Sequence, residues 1–397
     1  MSPLTTTIPL FSIQSTYLDV IADVKSGLSQ KDQFWIYGLT KNRTLDGSVD
    51  VYRSGSDVIL RGLAGFDVRG FTDKSSLKVA CPTLNVQDVV VQSQKYSVTT
   101  NTKIETFDIS PHAELYVTGG PNGEVTVSSL TDHGAFTRTM QGHLTYVTKV
   151  LFFPSGQVVL SAGGDMQIKI WSAADGSNPR TFLGHKRVVI DLAIVGRGRN
   201  FLSASKDGTV KLWECGTGDL VYTYSNSADT VLVPTAISVS KRFDGLSVAP
   251  LSALEFETDD KFVAIGYDNG DIALRGLSSK DLLATVPTST IGSSVTSLEV
   301  VDDRIFVARD SSAEIWDIRS LTTPVETIQL PSPILGLSAS SASSVAFATK
   351  NGSPFVLDNG AVSYYAAGFD DCTVAGLQFR GQAGLFVASR DGIIKRY

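Results

Sequence analysis

Serine, histidine and aspartate occur in this chain at spacings that invite a catalytic reading. Ser161, His143 and Asp165 are the ingredients of a hydrolase triad, in which histidine takes the serine proton and an acid orients the histidine. Ser203, His185 and Asp207 supply the same three types again, each 42 residues on, and Trp171 returns as Trp213 at the same interval. Neither serine lies in a Gly-x-Ser-x-Gly elbow, and a nucleophile has no reason to recur at a fixed period. The reading that accounts for all eight residues is structural. Two buried chains of hydrogen bonds through Trp, Ser, His and Asp satisfy polar groups that would otherwise cost roughly 1–3 kcal/mol each.

Other chemistry is thinly represented. There is no Gly-x-x-x-x-Gly-Lys-Ser/Thr loop, no His-Glu-x-x-His and no Cys-x-x-Cys. His112 and His133, the remaining two of four histidines, stand singly in turn-rich stretches and are expected to be solvated. The paired acids Asp259-Asp260, Asp302-Asp303 and Asp370-Asp371 fall between strands, whereas a general acid and base normally come from separate elements facing one cleft. Cys81, Cys215 and Cys372 are too few and too far apart for a disulfide framework or a paired-cysteine zinc site. The expectation is a non-enzyme with no cofactor and no metal.

The elements that must position the two polar sets are short strands. Residues 147–153, 158–162, 168–172 and 180–183 are runs rich in branched and aromatic residues, separated by Pro-Ser-Gly, Gly-Gly-Asp and Asp-Gly-Ser-Asn-Pro turns. Four strands per period of about 40–45 residues, with Gly-His near the start and Trp near the end, are the signature of a propeller of four-stranded blades. The turn before each third strand recurs at Asn122-Gly123, Asp165, Asp207-Gly208, Asp268-Asn269-Gly270, Asp310, Asn351-Gly352 and Asp391-Gly392, which predicts seven blades. The fold expected is all-β: a seven-bladed WD-repeat β-propeller over residues 81–397, preceded by a small β-rich N-terminal unit over residues 1–80. In that unit residues 34–39 read as a strand, and residues 46–52 imitate the blade turn and its following strand. No usable period appears in residues 1–20.

The last blade has three strands in sequence order and needs a fourth, because an open sheet edge invites aggregation. The candidate is the β-rich segment 83–93. Residues 225–250 interrupt the period and read as an insertion carrying the charged piece Lys241-Arg242-Phe243-Asp244.

At 397 residues and 42% hydrophobic content the chain can bury a large core, and its formal net charge of −6 argues against wholesale binding to nucleic acid or an anionic membrane. The N-terminus lacks the pattern of a secretory signal, and no apolar run approaches the roughly 18 residues needed to span a bilayer. Cytoplasm and nucleus are the expected compartments. In a propeller the residue just before each turn aspartate faces the mouth of the central channel. That column reads Pro121, Gly164, Lys206, Tyr267, Arg309, Lys350 and Arg390, a cationic bias unusual in an acidic protein. Lys206, Tyr267, Arg309, Lys350 and Arg390, with Asp370 and Asp371 on the loop leading into the last blade, are the candidate partner-binding residues.

Phe152-Phe153-Pro154-Ser155-Gly156, Asp165-Met166-Gln167-Ile168-Lys169-Ile170-Trp171, Asp175-Gly176-Ser177-Asn178-Pro179-Arg180-Thr181, Gly196-Arg197-Gly198-Arg199-Asn200 and Leu212-Trp213-Glu214-Cys215-Gly216-Thr217-Gly218 closely resemble the WD-repeat family of proteasomal ATPase-associated factors. The fungal members of that family are assembly chaperones of the proteasome regulatory particle. The resemblance implies a protein without chemistry of its own that holds the C-terminal domain of a regulatory-particle ATPase subunit while the base assembles, acting as a monomer. The competing readings are a scaffold or substrate receptor for another complex, such as a ubiquitin ligase, and a hydrolase using Ser161 and His143. The Asp175–Arg180 turn and the Arg197–Asn200 loop are expected on the face opposite the cationic column.

Overall fold

A computed structural model describes residues 4–70, 76–131, 136–225, 232–240, 252–286, 293–369 and 373–397. His133, Asp370, Asp371, Cys372 and the Lys241–Asp244 piece lie outside the described residues.

Each turn marked by an aspartate or asparagine joins the second and third strands of an antiparallel sheet, because a short polar side chain, followed by glycine in five of the seven, suits a tight reversal between alternating strands. Among the described residues seven such sheets follow one another, over residues 106–140, 147–182, 189–225, 234–286, 295–329, 334–366 and 374–396. Innermost strands of successive blades pack side by side, and Val374–Phe379 of the seventh packs against Thr106–Ile109 of the first, so the ring is closed. The described residues form a seven-bladed β-propeller.

Polar side chains on the innermost strands bridge every blade boundary. Asp108 accepts the Phe152 N–H at 2.6 Å, Thr148 donates to the Val189 carbonyl at 2.6 Å, and Asp191 accepts the Ile237 N–H at 2.9 Å. Ser238, Glu299 and Ser338 then accept from Val300, Ala339 and Phe379, and Gln378 closes the circle by accepting from Ile109 at 3.3 Å. These groups surround a central cavity of about 430 Å³. Side chains thereby complete hydrogen bonds that the separate sheets cannot exchange directly.

The strand completing blade seven is Tyr96–Thr99, which pairs antiparallel with Ile393–Arg396 through Ile393↔Thr99 to Arg396↔Tyr96. It is not the 83–93 segment. Val86–Gln92, the strand within that segment, instead pairs in parallel with the outer strand of blade six, Ala361–Ala366, and antiparallel with Ser76–Cys81. Both stretches have the composition of a strand, so composition alone does not decide which edge each covers. A second parallel addition occurs on blade five, where Leu4–Thr7 lies along Glu326–Gln329.

The N-terminal residues form a four-stranded sheet, Leu10–Ile13, Lys31–Thr40, Arg43–Ser54 and Asp57–Gly62. A helix, Tyr17–Ser26, packs on it through Tyr17, Ile21 and Val24 and stops at Gly27, whose φ of 86° closes the last turn. The boundary expected near residue 80 is bridged by a continuous core: Phe11, Phe66, Leu77 and Val79 pack in one cluster with Phe306, Phe347, Phe355 and Tyr365 of blades five and six. The 225–250 stretch also differs from a pure insertion, since it contains Pro234–Val239, the innermost strand of blade four.

Candidate functional site: the face bearing the tetrads and the channel mouth

The two polar sets assemble at one end of blades two and three. His143 Nε2 lies 2.7 Å from Ser161 Oγ, His143 Nδ1 lies 3.0 Å from Asp165 Oδ1, and Trp171 Nε1 donates to Ser161 Oγ at 2.8 Å. In blade three the corresponding distances are 2.7 Å (His185 to Ser203), 2.8 Å (His185 to Asp207) and 2.8 Å (Trp213 to Ser203). The indole can only donate and the carboxylate only accepts, so each histidine carries its proton on Nδ1 and accepts the serine O–H at Nε2. Each aspartate then takes the backbone N–H of the residue after the histidine, Leu144 at 3.0 Å and Lys186 at 2.9 Å.

This proton order is that of a hydrolytic triad, but Ser161 and Ser203 are 0% exposed and each Oγ already holds an indole N–H. A substrate carbonyl has no path to either oxygen in this arrangement. Electrostatics follow burial. Desolvation holds His143 below its ordinary value, outweighing the hydrogen bond and charge of Asp165. Burial opposes ionisation of Asp207, but hydrogen bonds from His185, Thr209 and the Lys186 N–H outweigh it and hold the carboxyl well below the usual range.

Gly164, Lys206, Lys350 and Arg390 of the predicted column occupy equivalent rim positions, whereas Tyr267 and Arg309 stand one residue earlier, level with Gly163 and Ser205. The N–H groups of Gly164, Lys206, Lys350 and Arg390 donate to the carbonyls of Tyr146, Val188, Pro333 and Thr373, where the innermost strands begin. Lys206, Lys350 and Arg390 are exposed there, and Arg390 Nη2 lies 3.8 Å from Glu105 Oε2. Two members depart from the expectation. Tyr267 is buried in the apolar cluster between blades three and four. Arg309 is 1% exposed, because strand register sets it level with Gly163 and Ser205, one position before the rim, and blade five has Val307 where blades two and three have serine. Trp316 Nε1 therefore donates to Glu314 at 2.9 Å, and the Arg309 guanidinium pairs with the same carboxylate while donating to the Gly270 carbonyl of blade four at 3.2 and 3.3 Å. Arg309 substitutes for a missing tetrad and is withdrawn from the mouth.

On the opposite face the turns that carry the family resemblance are satisfied within the chain. Asn178 Nδ2 donates to the Ile170 and Arg180 carbonyls, Arg180 reaches the Gly216 carbonyl, and Arg138 donates to the Asp175 carbonyl at 2.9 Å. Asn200 clasps the 252–257 stretch through Leu254 O and Phe256 N, Arg197 pairs with Glu257 at 2.8 Å, and Arg199 stacks 3.5 Å over the Phe256 ring. Intramolecular contacts account for these side chains.

The sequence reading passes over exposed apolar residues on the tetrad face: Leu144, Tyr146, Met166 and Leu183. Their signal was present, since Leu144 and Tyr146 follow Gly142-His143 directly and Met166 follows Asp165. Among the described residues no cluster of His, Cys, Asp and Glu could hold a metal ion, and no helix is long and apolar enough to cross a membrane.

Residues 134–172 and 176–214 match the WD domain, G-beta repeat family, the same two repeats that the 42-residue spacing marks. Over 193 residues the chain is 40% identical to the 26S proteasome regulatory subunit RPN14 of Saccharomyces cerevisiae, a match covering 47% of this chain and 46% of that protein. The chain thus spans about half the length of this curated relative.

Proposed function

We propose, from the premise that this chain is a WD-repeat β-propeller similar over about half its length to a proteasome regulatory subunit, that it is a non-enzymatic assembly chaperone of the proteasome regulatory particle base. In this reading it holds the C-terminal domain of one regulatory-particle ATPase subunit during assembly and then departs. It works as a monomer in the cytoplasm and nucleus and engages neither nucleic acid nor membrane. The observation that carries the reading is the 40% identity to RPN14 over 193 residues. The sealed serines support a role in binding rather than turnover. Lys206, Lys350 and Arg390 at the channel mouth are the proposed contacts, with Asp370 and Asp371 added on sequence grounds. Immobilised protein presented with each purified ATPase C-terminal domain should bind one of them saturably. Binding to none of them rejects the proposal.

A second reading, a substrate receptor in another complex such as a ubiquitin ligase, is favoured by the three exposed cations, which suit an acidic peptide. Lys350→Glu combined with Arg390→Glu separates the two. Unchanged ATPase-domain binding would remove the mouth from the chaperone interface.

A further inference from the structure

Blades two and three carry the same loop in the same register, yet present opposite chemistry to solvent. In blade two, Leu144 is 81% exposed, Tyr146 45% and Met166 41%. All three flank Asp165: its carboxylate takes the Leu144 N–H, and the Gly164 N–H donates to the Tyr146 carbonyl at 2.9 Å. In blade three the equivalents of Leu144, Thr145 and Gly164 are Lys186, Arg187 and Lys206, all exposed, and among the described residues none of them is in an ion pair. Leu183, 69% exposed, immediately precedes Gly184-His185 on the loop between the two blades. The two blades pack side by side, and Thr148 binds the Val189 carbonyl at the roots of the loops, so apolar and basic halves form one surface.

Met166 adds an independent observation. In the turn before the third strand, blades one, three, four, six and seven place Gly123, Gly208, Gly270, Gly352 and Gly392 at a left-handed position, with φ between 85° and 101°. Blade two places Met166 there, at φ 65°. That conformation is free to glycine and costly to an L side chain. Strain retained at an exposed methionine, where five sister turns use glycine, points to recognition.

We propose that this surface binds a protein segment bearing one large apolar side chain flanked by carboxylates. The apolar side chain lies on Leu144, Tyr146, Met166 and Leu183, and the carboxylates face Lys186, Arg187 and Lys206. Charge complementarity selects the acidic partner, and the polarizable thioether of Met166 adapts to the anchor. The ATPase reading enters only through one of the two probes.

The experiment titrates the protein with the purified proteasomal ATPase C-terminal domains and, separately, with a fluorescein-labelled peptide of one leucine among aspartates, a twin carrying lysines in place of the aspartates serving as control. Leu144→Asp is expected to weaken binding about tenfold or more, as loss of an interface anchor does. Combined Lys186→Glu, Arg187→Glu and Lys206→Glu should weaken it similarly and abolish its salt dependence. Met166→Gly should raise the thermal midpoint while weakening binding, which a merely structural residue would not do. If an ATPase domain binds and these variants bind it unchanged, this inference falls and the chaperone reading stands. If no ATPase domain binds but the acidic peptide binds in a patch-dependent way, the chaperone reading falls and this inference stands. Failure of both probes, or equal binding of the lysine twin, overturns it.

Discussion

Blades two and three hold together by means that blades five and six do without. The first pair carries complete Trp-Ser-His-Asp chains, each contained within one 42-residue repeat, and among the described residues its outer strands Arg180–Phe182 and Leu220–Ser225 carry no added strand. The second pair has no such chain. Blade five uses the buried Arg309–Glu314 pair under Trp316, and both outer edges are covered by strands from the N-terminal region, Leu4–Thr7 and Val86–Gln92. A blade can be rigidified from within by a local polar relay or from outside by distant strands. The outside route merges its core with that of the N-terminal sheet.

The comparison breaks most sharply at Arg309. Arg309→Met removes the guanidinium that pairs with buried Glu314 beneath Trp316, and chemical denaturation should show a loss of about 3–5 kcal/mol. Adding Glu314→Gln should recover much of that loss, because the amide carbonyl still accepts the indole N–H. No recovery would mean that Arg309 acts through packing or Gly270 rather than through charge.

In blade two, Ser161→Ala removes the common partner of His143 and Trp171 and should cost about 1–3 kcal/mol in the same assay. Ser203→Ala should match it in blade three. A much smaller cost at either serine would show that the relay records the fold without stabilising it.

The smallest effect is the pH response, and it distinguishes the regions. His143 is held below its ordinary value chiefly by burial, so as pH falls below about 6.5 the unfolded chain takes up the proton before the native one and stability declines. Asp207 contributes stability that is full above about pH 4 and is lost as pH falls towards its lowered native value. Denaturation midpoints across this range should decline with acid, at no more than about 1.4 kcal/mol per pH unit for each group. His143→Gln should flatten the slope between about pH 6.5 and 5. An unaltered slope would assign it to other groups.

Legibility followed locality. The turns at Asp165, Asp207, Asp310 and Asp391 were readable because the residue types that reverse a strand are set by neighbours within four positions. The column was readable in register at Lys206, Lys350 and Arg390 but slipped by one residue at Tyr267 and Arg309, because which residue ends the second strand depends on its pairing with the innermost strand. Arg309 then meets Glu314 and the Gly270 carbonyl of the preceding blade. The helix Tyr17–Ser26 lay in a stretch without a clear period, and it is a helix because the sheet beneath it covers Tyr17, Ile21 and Val24. The apolar tetrad-face residues were plain as letters, but exposure is a property of the assembled loop.

By itself the amino-acid order determined the all-β class, the number of blades and the pairing of His, Ser, Asp and Trp, since each rests on hydrogen bonds and reversals confined to a few dozen residues. Only the tertiary structure decided that Tyr96–Thr99 closes the ring, that Val86–Gln92 and Leu4–Thr7 cap blades six and five, and that Arg309 turns inward. The physical reason is that a strand's unpaired edge accepts any segment of suitable composition. Which segment arrives depends on where the rest of the chain has already been anchored.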